Sequence, residues 1–201
     1  MIDEGYVKYD CQWQHSAPPE GIEELISVRN ALYAMGLIGK YEPSGIGFGN
    51  VSMRHPDGRR FFISGTSTGG IEIAEAIHFC TVDAWDIHRN SLVCEGPVAA
   101  SSESLTDAML YDCAPGIQAI LHVHHLAFWE KLLESAPCTS AEVAYGTPEM
   151  ALEMKRLLEE TGYEPVQIFA MKGHEEGILV YGRSLPEAME KIIAEFRKMF
   201  A

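Results

Sequence analysis

The run AILHVHH at residues 119–125 restricts the fold more than any other stretch of the chain. Its apolar start predicts a short buried strand over Ile117 to Leu121, and a strand buried on both faces must lie inside a covered sheet. Side chains alternate along a strand, so His122 and His124 share one face at its exit. His125 points the other way or starts the next helix. Two imidazoles so placed can hand one nitrogen each to a single metal ion. Two structural histidines would leave the same pattern, and these residues alone do not separate the readings.

A catalytic metal site wants a third protein ligand and an open position. His174 fits, in the loop Lys172 to Gly177 after the apolar segment Val166 to Met171. Glu175 and Glu176 follow it, either as outer partners of the site or as solvated carboxylates. The other histidines carry structural or surface roles: His15 near the N-terminus, His55 in a turn, His78 and His88 beside a strand.

The remaining pattern indicates an α/β fold. Apolar spacings near three and four predict a helix over Glu20 to Lys40, closed by Gly36 and Gly39. Further helices are expected over Ser101 to Cys113, with Ser101 or Ser102 as N-cap, and over His125 to Glu134. Two more are expected over Thr147 to Glu160, with Thr147 as N-cap, and over Leu185 to Phe200. Strands are expected at Val51 to Arg54, Phe61 to Ile63, His78 to Asp83, Ser91 to Cys94, Val166 to Met171 and Ile178 to Tyr181. Residues 1–18 read as an N-terminal arm ending at Pro18 and Pro19. With 201 residues, a single domain over 1–201 is expected.

Charge and composition narrow the function. The net charge of −14 lacks the basic footprint of a nucleic-acid binder and disfavours anionic membranes. No apolar run reaches the roughly 18 to 20 residues of a membrane span, and the acidic start is unlike a signal peptide, so a cytoplasmic protein is expected. Five scattered cysteines without a CxxC pair predict free, mostly buried thiols.

Three polar loops are candidate binding elements. Gly45 to Asn50 has three alternating glycines before a strand, unlike a dinucleotide fingerprint, and can form an anion nest. Ser64 to Gly70 adds hydroxyls and glycines, and Ser101 and Ser102 a third cluster. Glu103 follows at a helix start. It is either a favourable charge in the first turn or a general acid/base beside a metal.

In this order, GFGNVSMR, FFISGTSTGG, EGPVAASSE, AILHVHH and KGHEEGILVYGRSLPEA resemble the class II aldolase/adducin family, from about Ile22 to Phe200. The resemblance implies a three-layer α/β/α sandwich with a mainly antiparallel central sheet, assembled as a homotetramer. It implies a divalent ion, zinc before others, on His122, His124 and His174, and Glu103 as acid/base. It places Gly49, Asn50, Thr66, Ser67, Ser101 and Ser102 at the phosphate of a small substrate, with Tyr145 as a candidate second acid. The implied reaction is aldol cleavage of a sugar phosphate or hydroxy-keto compound through a metal-stabilised enediolate. Epimerisation or dehydration on the same site, or an adducin-head-like assembly role, are the alternatives. This chain departs from the family pattern at three places. The loop ISGTSTGG is longer, Asp107 stands where many members have histidine, and two glutamates separate His174 from the following glycine.

Overall fold

Alternation along β8 (Ala119–His124) decides the layering. Ala119, Leu121 and Val123 enter one apolar cluster and Ile120 the other. The first cluster is covered by α1 (Glu23–Ala34), α3 (Leu126–Leu133) and α5 (Leu185–Arg197), through residues such as Leu25, Leu32, Phe128, Ala188 and Ile192. The second is covered by α2 (Ser104–Cys113) and α4 (Pro148–Thr161), through Leu105, Ala108, Met150, Met154 and Leu157. Helices therefore lie on both faces of the sheet, in three layers. His122 and His124 alternate with Leu121 and Val123, so they project toward the α2/α4 side. The computed structural model describes residues 7–200.

The strands before β8 are β1 (Asp10–His15), β2 (Gly39–Lys40), β3 (Gly47–Phe48), β4 (Asn50–Arg54), β5 (Phe61–Ser64), β6 (Phe79–Asp86) and β7 (Ser91–Gly96). After it come β9 (Gln167–Ala170) and β10 (Gly177–Gly182). Eight of them form one sheet in the order β1-β7-β6-β5-β4-β8-β10-β9, and β2 pairs only with β3. Every neighbouring pair of the large sheet is antiparallel except β1 with β7. β8 lies between β4 and β10, with Asn50 opposite His122 and Gly177 opposite His124.

Part of the expected N-terminal arm is strand. Residues 10–15 add an edge strand to β7, Trp13 Nε1 donates to the Gly96 carbonyl at 3.0 Å, and the buried Tyr9 hydroxyl donates to the Ser101 carbonyl at 2.8 Å. The strand DCQWQH is largely exposed, so its ladder hydrogen bonds leave no apolar periodicity to read. Residues 1–6 of the expected arm lie outside the described residues.

Three helix boundaries also differ from expectation. α1 stops at Ala34 rather than near Lys40, because Gly36 adopts a left-handed φ of 73°. The buried Leu37 then turns back, and its carbonyl accepts the His124 N–H at 2.9 Å. α2 starts at Ser104, with Glu103 at the N-cap position; Ser101 and Ser102 stay in a turn, tied by Ser104 Oγ donating to the Ser101 carbonyl at 2.7 Å. α5 ends at Arg197 and passes into a 3₁₀ turn. By contrast, α4 begins as its sequence indicates, with Thr147 Oγ1 accepting the Met150 N–H at 3.3 Å and Pro148 in the first turn. No helix among the described residues is long and apolar enough to cross a membrane.

Candidate active site

The exit of β8 lies in a cleft that opens toward solvent. His122 and His124 Nε2 stand 3.2 Å apart, and His174 arrives from the β9–β10 connection with its ring 5.1 and 4.6 Å from theirs. One ligand nitrogen from each lies within 4.8 Å of the others. Two nitrogens bound at zinc-like distances of about 2.0–2.1 Å to a tetrahedral ion would be separated by about 3.3 Å. The His122–His124 spacing therefore fits a shared cation.

The protonation of this cluster also fits. All three histidines are buried. Burial, followed by mutual repulsion with His174, holds His122 and His124 well below the usual imidazole range. Burial and then the Lys8 ammonium lower His174 to about 3. Neutral imidazoles keep a nitrogen lone pair for a metal. The residues present thus suit a divalent cation with nitrogen affinity.

Asn50 sets the orientation of His122. Its Nδ2 stands 3.2 Å from His122 Nδ1, while its Oδ1 is buried without a partner among the described residues. A neutral His122 with its lone pair on Nε2 carries its proton on Nδ1. The amide orientation that satisfies both groups therefore has Oδ1 accepting from Nδ1–H.

The third histidine depends on two close approaches. His174 N–H donates to the Met171 carbonyl at 3.0 Å and Gly177 N–H to the His174 carbonyl at 2.9 Å, so the two extra glutamates are absorbed in a tight connection. A Cβ on Gly173 would strike the Val143 carbonyl, which is why this turn can lie against the loop carrying Tyr145. Tyr145 stacks on His174 at 4.5 Å with the planes 25° apart, and the Lys8 ammonium stands 3.8 Å from the Tyr145 ring centre.

Glu103 is 3% exposed at the opening turn of α2, and its Oε2 accepts from Thr106 Oγ1 at 3.3 Å. The loop after β5, which also lines the cleft, is held by Arg29. This guanidinium is 1% exposed and donates to the Thr68 and Gly69 carbonyls at 2.8 and 3.0 Å. Ser67 sits in that loop with φ 61°. Gly49, with φ 78°, passes so close to β8 that a Cβ would lie 2.8 Å from Ile38 Cγ1 and 3.0 Å from the His122 carbonyl.

All eleven residues singled out from the sequence line this one cleft: His122, His124, His174, Glu103, Tyr145, Gly49, Asn50, Thr66, Ser67, Ser101 and Ser102. Gly47, Phe48, Gly65 and Gly69 complete the lining. Sequence reasoning missed Arg29, Tyr41 and Lys8. Arg29 did leave a signal, as a charged residue in register with Leu25 and Leu32 on the buried face of α1. Tyr41 and Lys8 left none, since their contacts are with residues distant in sequence. The five cysteines are free; Cys80 and Cys94 are buried and Cys11, Cys113 and Cys138 only partly so.

The layered mixed fold, with a cleft at the strand ends of β4, β8 and β10, is that of the class II aldolase and adducin class. The sequence matches the model of the class II aldolase and adducin N-terminal domain over residues 29–195, and the chain belongs to this family. Its fold is similar to that of L-fuculose-1-phosphate aldolase from Thermus thermophilus, at 20% identity and TM-score 0.62, covering 87% of this chain and 88% of that one. It is likewise similar to a sugar-phosphate aldolase from Thermotoga maritima, at 15% identity and TM-score 0.63, covering 89% and 91%. A third similar structure is YgbL from Klebsiella pneumoniae, whose reaction is described only as aldolase, epimerase or decarboxylase, at 18% identity and TM-score 0.62, covering 89% and 87%. No curated protein sequence matches the chain.

Proposed function

We propose that this chain is a cytoplasmic, metal-dependent carbon–carbon lyase that cleaves a small sugar phosphate or hydroxy-keto compound. One observation carries the reading: three buried histidines converge in a cleft that the buried Glu103 also lines, walled by glycine and hydroxyl loops. His122, His124 and His174 would hold a divalent ion, zinc in the first instance. When bound, the ion supplies Lewis acidity toward the substrate's carbonyl and hydroxyl oxygens and so offsets charge that develops as the bond breaks.

The protein's own groups divide the remaining work. Glu103 moves the proton at the carbon that becomes nucleophilic, and its burial suits proton transfer with little competition from water. Tyr145 takes the proton of the hydroxyl that becomes the departing aldehyde's carbonyl, and returns it in the reverse, condensing direction. Gly49, Asn50, Thr66, Ser67, Ser101 and Ser102 form the anion pocket, where hydroxyl and backbone donors take the place of cationic side chains. We further propose assembly as a homotetramer; Ile73 and Ile77, 71% and 51% exposed beyond the Ser64–Gly70 loop, provide apolar surface for subunit contact.

The test is elemental analysis of the wild type and of the His122→Ala/His124→Ala double variant, followed by assay of ketose phosphates for aldehyde release. About one divalent ion per chain, lost in the variant, together with aldehyde release, is expected. Metal with epimerised or dehydrated product would reassign the reaction on the same site. No metal after incubation with zinc, manganese or cobalt would overturn the enzyme reading in favour of an assembly role.

A further inference from the structure

Tyr41 lies outside the cleft lining, yet its hydroxyl touches the candidate metal site. It stands 2.9 Å from His124 Nδ1 and donates to Glu176 Oε2 at 2.8 Å. A phenol has one proton. With that proton directed to the Glu176 carboxylate, the oxygen is left to accept, and the matching donor is His124 Nδ1–H. The lone pair of His124 then sits on Nε2, the atom 3.2 Å from His122 Nε2.

Both outer groups are held by the backbone around them. Tyr41 closes a short turn, its N–H donating to the Ile46 carbonyl at 2.9 Å and its carbonyl accepting the Gly45 N–H at 2.8 Å. Its ring packs on Phe48 at 4.6 Å, and Phe48 in turn lies 5.4 Å from the His124 ring. Glu176 has a left-handed φ of 68°, unusual for a residue with a side chain, and its carbonyl accepts the His125 N–H at 3.2 Å. It is one of the two glutamates inserted between His174 and Gly177. The loop therefore carries one candidate ligand, His174, and returns a carboxylate toward another, His124. Glu175, its neighbour, is exposed.

We propose that Tyr41 and Glu176 are positioning residues, a hydrogen-bonded relay that fixes the ring and tautomer of His124 and raises its affinity for the cation. The inference rests on the metal reading above. A hydrogen-bonded carboxylate behind a ligand imidazole makes the ligand nitrogen more basic and removes the freedom of the ring to turn away.

The test compares Tyr41→Phe, Glu176→Gln and, as a control of equal charge change, Glu175→Gln. Metal-free protein is titrated with Co²⁺ and Zn²⁺ against a chromogenic chelator, and the visible spectrum of the Co²⁺ form is recorded. Tyr41→Phe and Glu176→Gln should each weaken binding by roughly 10- to 100-fold and shift the Co²⁺ bands. Their double variant should be little worse than either single one, because the groups act in series. Glu175→Gln should match the wild type.

Wild-type binding with Tyr41→Phe and Glu176→Gln unchanged would overturn the relay and leave the metal site standing. A wild type that binds neither ion would overturn both. NMR of histidine-labelled wild type provides a check that needs no variant. The proton of His124 is expected on Nδ1, and finding it on Nε2 would overturn the relay.

Discussion

Glu103 and Asp107 are one helical turn apart on α2, and burial gives them different consequences. Glu103 lines the cleft, and Glu103→Gln should lower kcat by roughly 10²- to 10⁴-fold while bound metal is retained, checked by steady-state kinetics beside elemental analysis. Asp107 is fully buried and does not line this cleft. Among the described residues neither of its oxygens makes a hydrogen bond of good geometry, and the nearby Ser52 hydroxyl is 2.9 Å from Tyr111 Oη. Burial, partly opposed by Ser52, pushes its carboxyl from 3.8 up to about 7. The folded state therefore holds this proton more tightly than the unfolded state, and the Asp107 contribution to stability declines as pH rises from about 4 to about 7. The stability gap between Asp107→Asn and wild type should widen in favour of the variant across that window. The change is at most roughly 1.4 kcal/mol per pH unit, measured by denaturant melts at several pH values; a constant gap would show that the carboxyl ionises freely.

Among the elements, α4 shows how a local signal serves a distant site. Its start follows Tyr145 and Gly146 directly, and Thr147 satisfies the Met150 N–H. Thr147→Ala should cost about 1 kcal/mol of stability, read from the unfolding midpoint. The ends of α1 and α2 were less legible. Apolar spacing continues through Leu37, but Gly36 reverses the chain so that Leu37 can reach β8. Ser101 and Ser102 look like caps in sequence, but the Ser101 carbonyl is held by Tyr9, which lies just before β1 and 92 positions away. An exposed edge strand such as β1 is written in backbone hydrogen bonds, to which side-chain periodicity is blind.

For the molecule as a whole, the sheet order brings together chain segments far apart in sequence. β4, β8 and β10 are neighbours, so the Gly47–Asn50 segment, the His-x-His pair and the His174 loop meet at one end of the sheet. The proposed homotetramer predicts a light-scattering mass near four times 22.3 kDa. Replacing Ile73 and Ile77 with Asp should lower that mass if they lie in a contact; an unchanged tetramer would move the interface elsewhere.

The sequence by itself determined the α/β alternation, the face shared by His122 and His124, the N-terminal end of α4, and through its ordered motifs the family. These depend on periodicity and on residue types a few positions apart, where covalent geometry dictates which side chains are neighbours. Only the tertiary structure decided that eleven separated residues line one cleft, that Arg29 braces the loop after β5, and that Tyr41 joins Glu176 to His124. Those contacts span up to 135 positions and arise from strand order and loop closure, which no local pattern encodes.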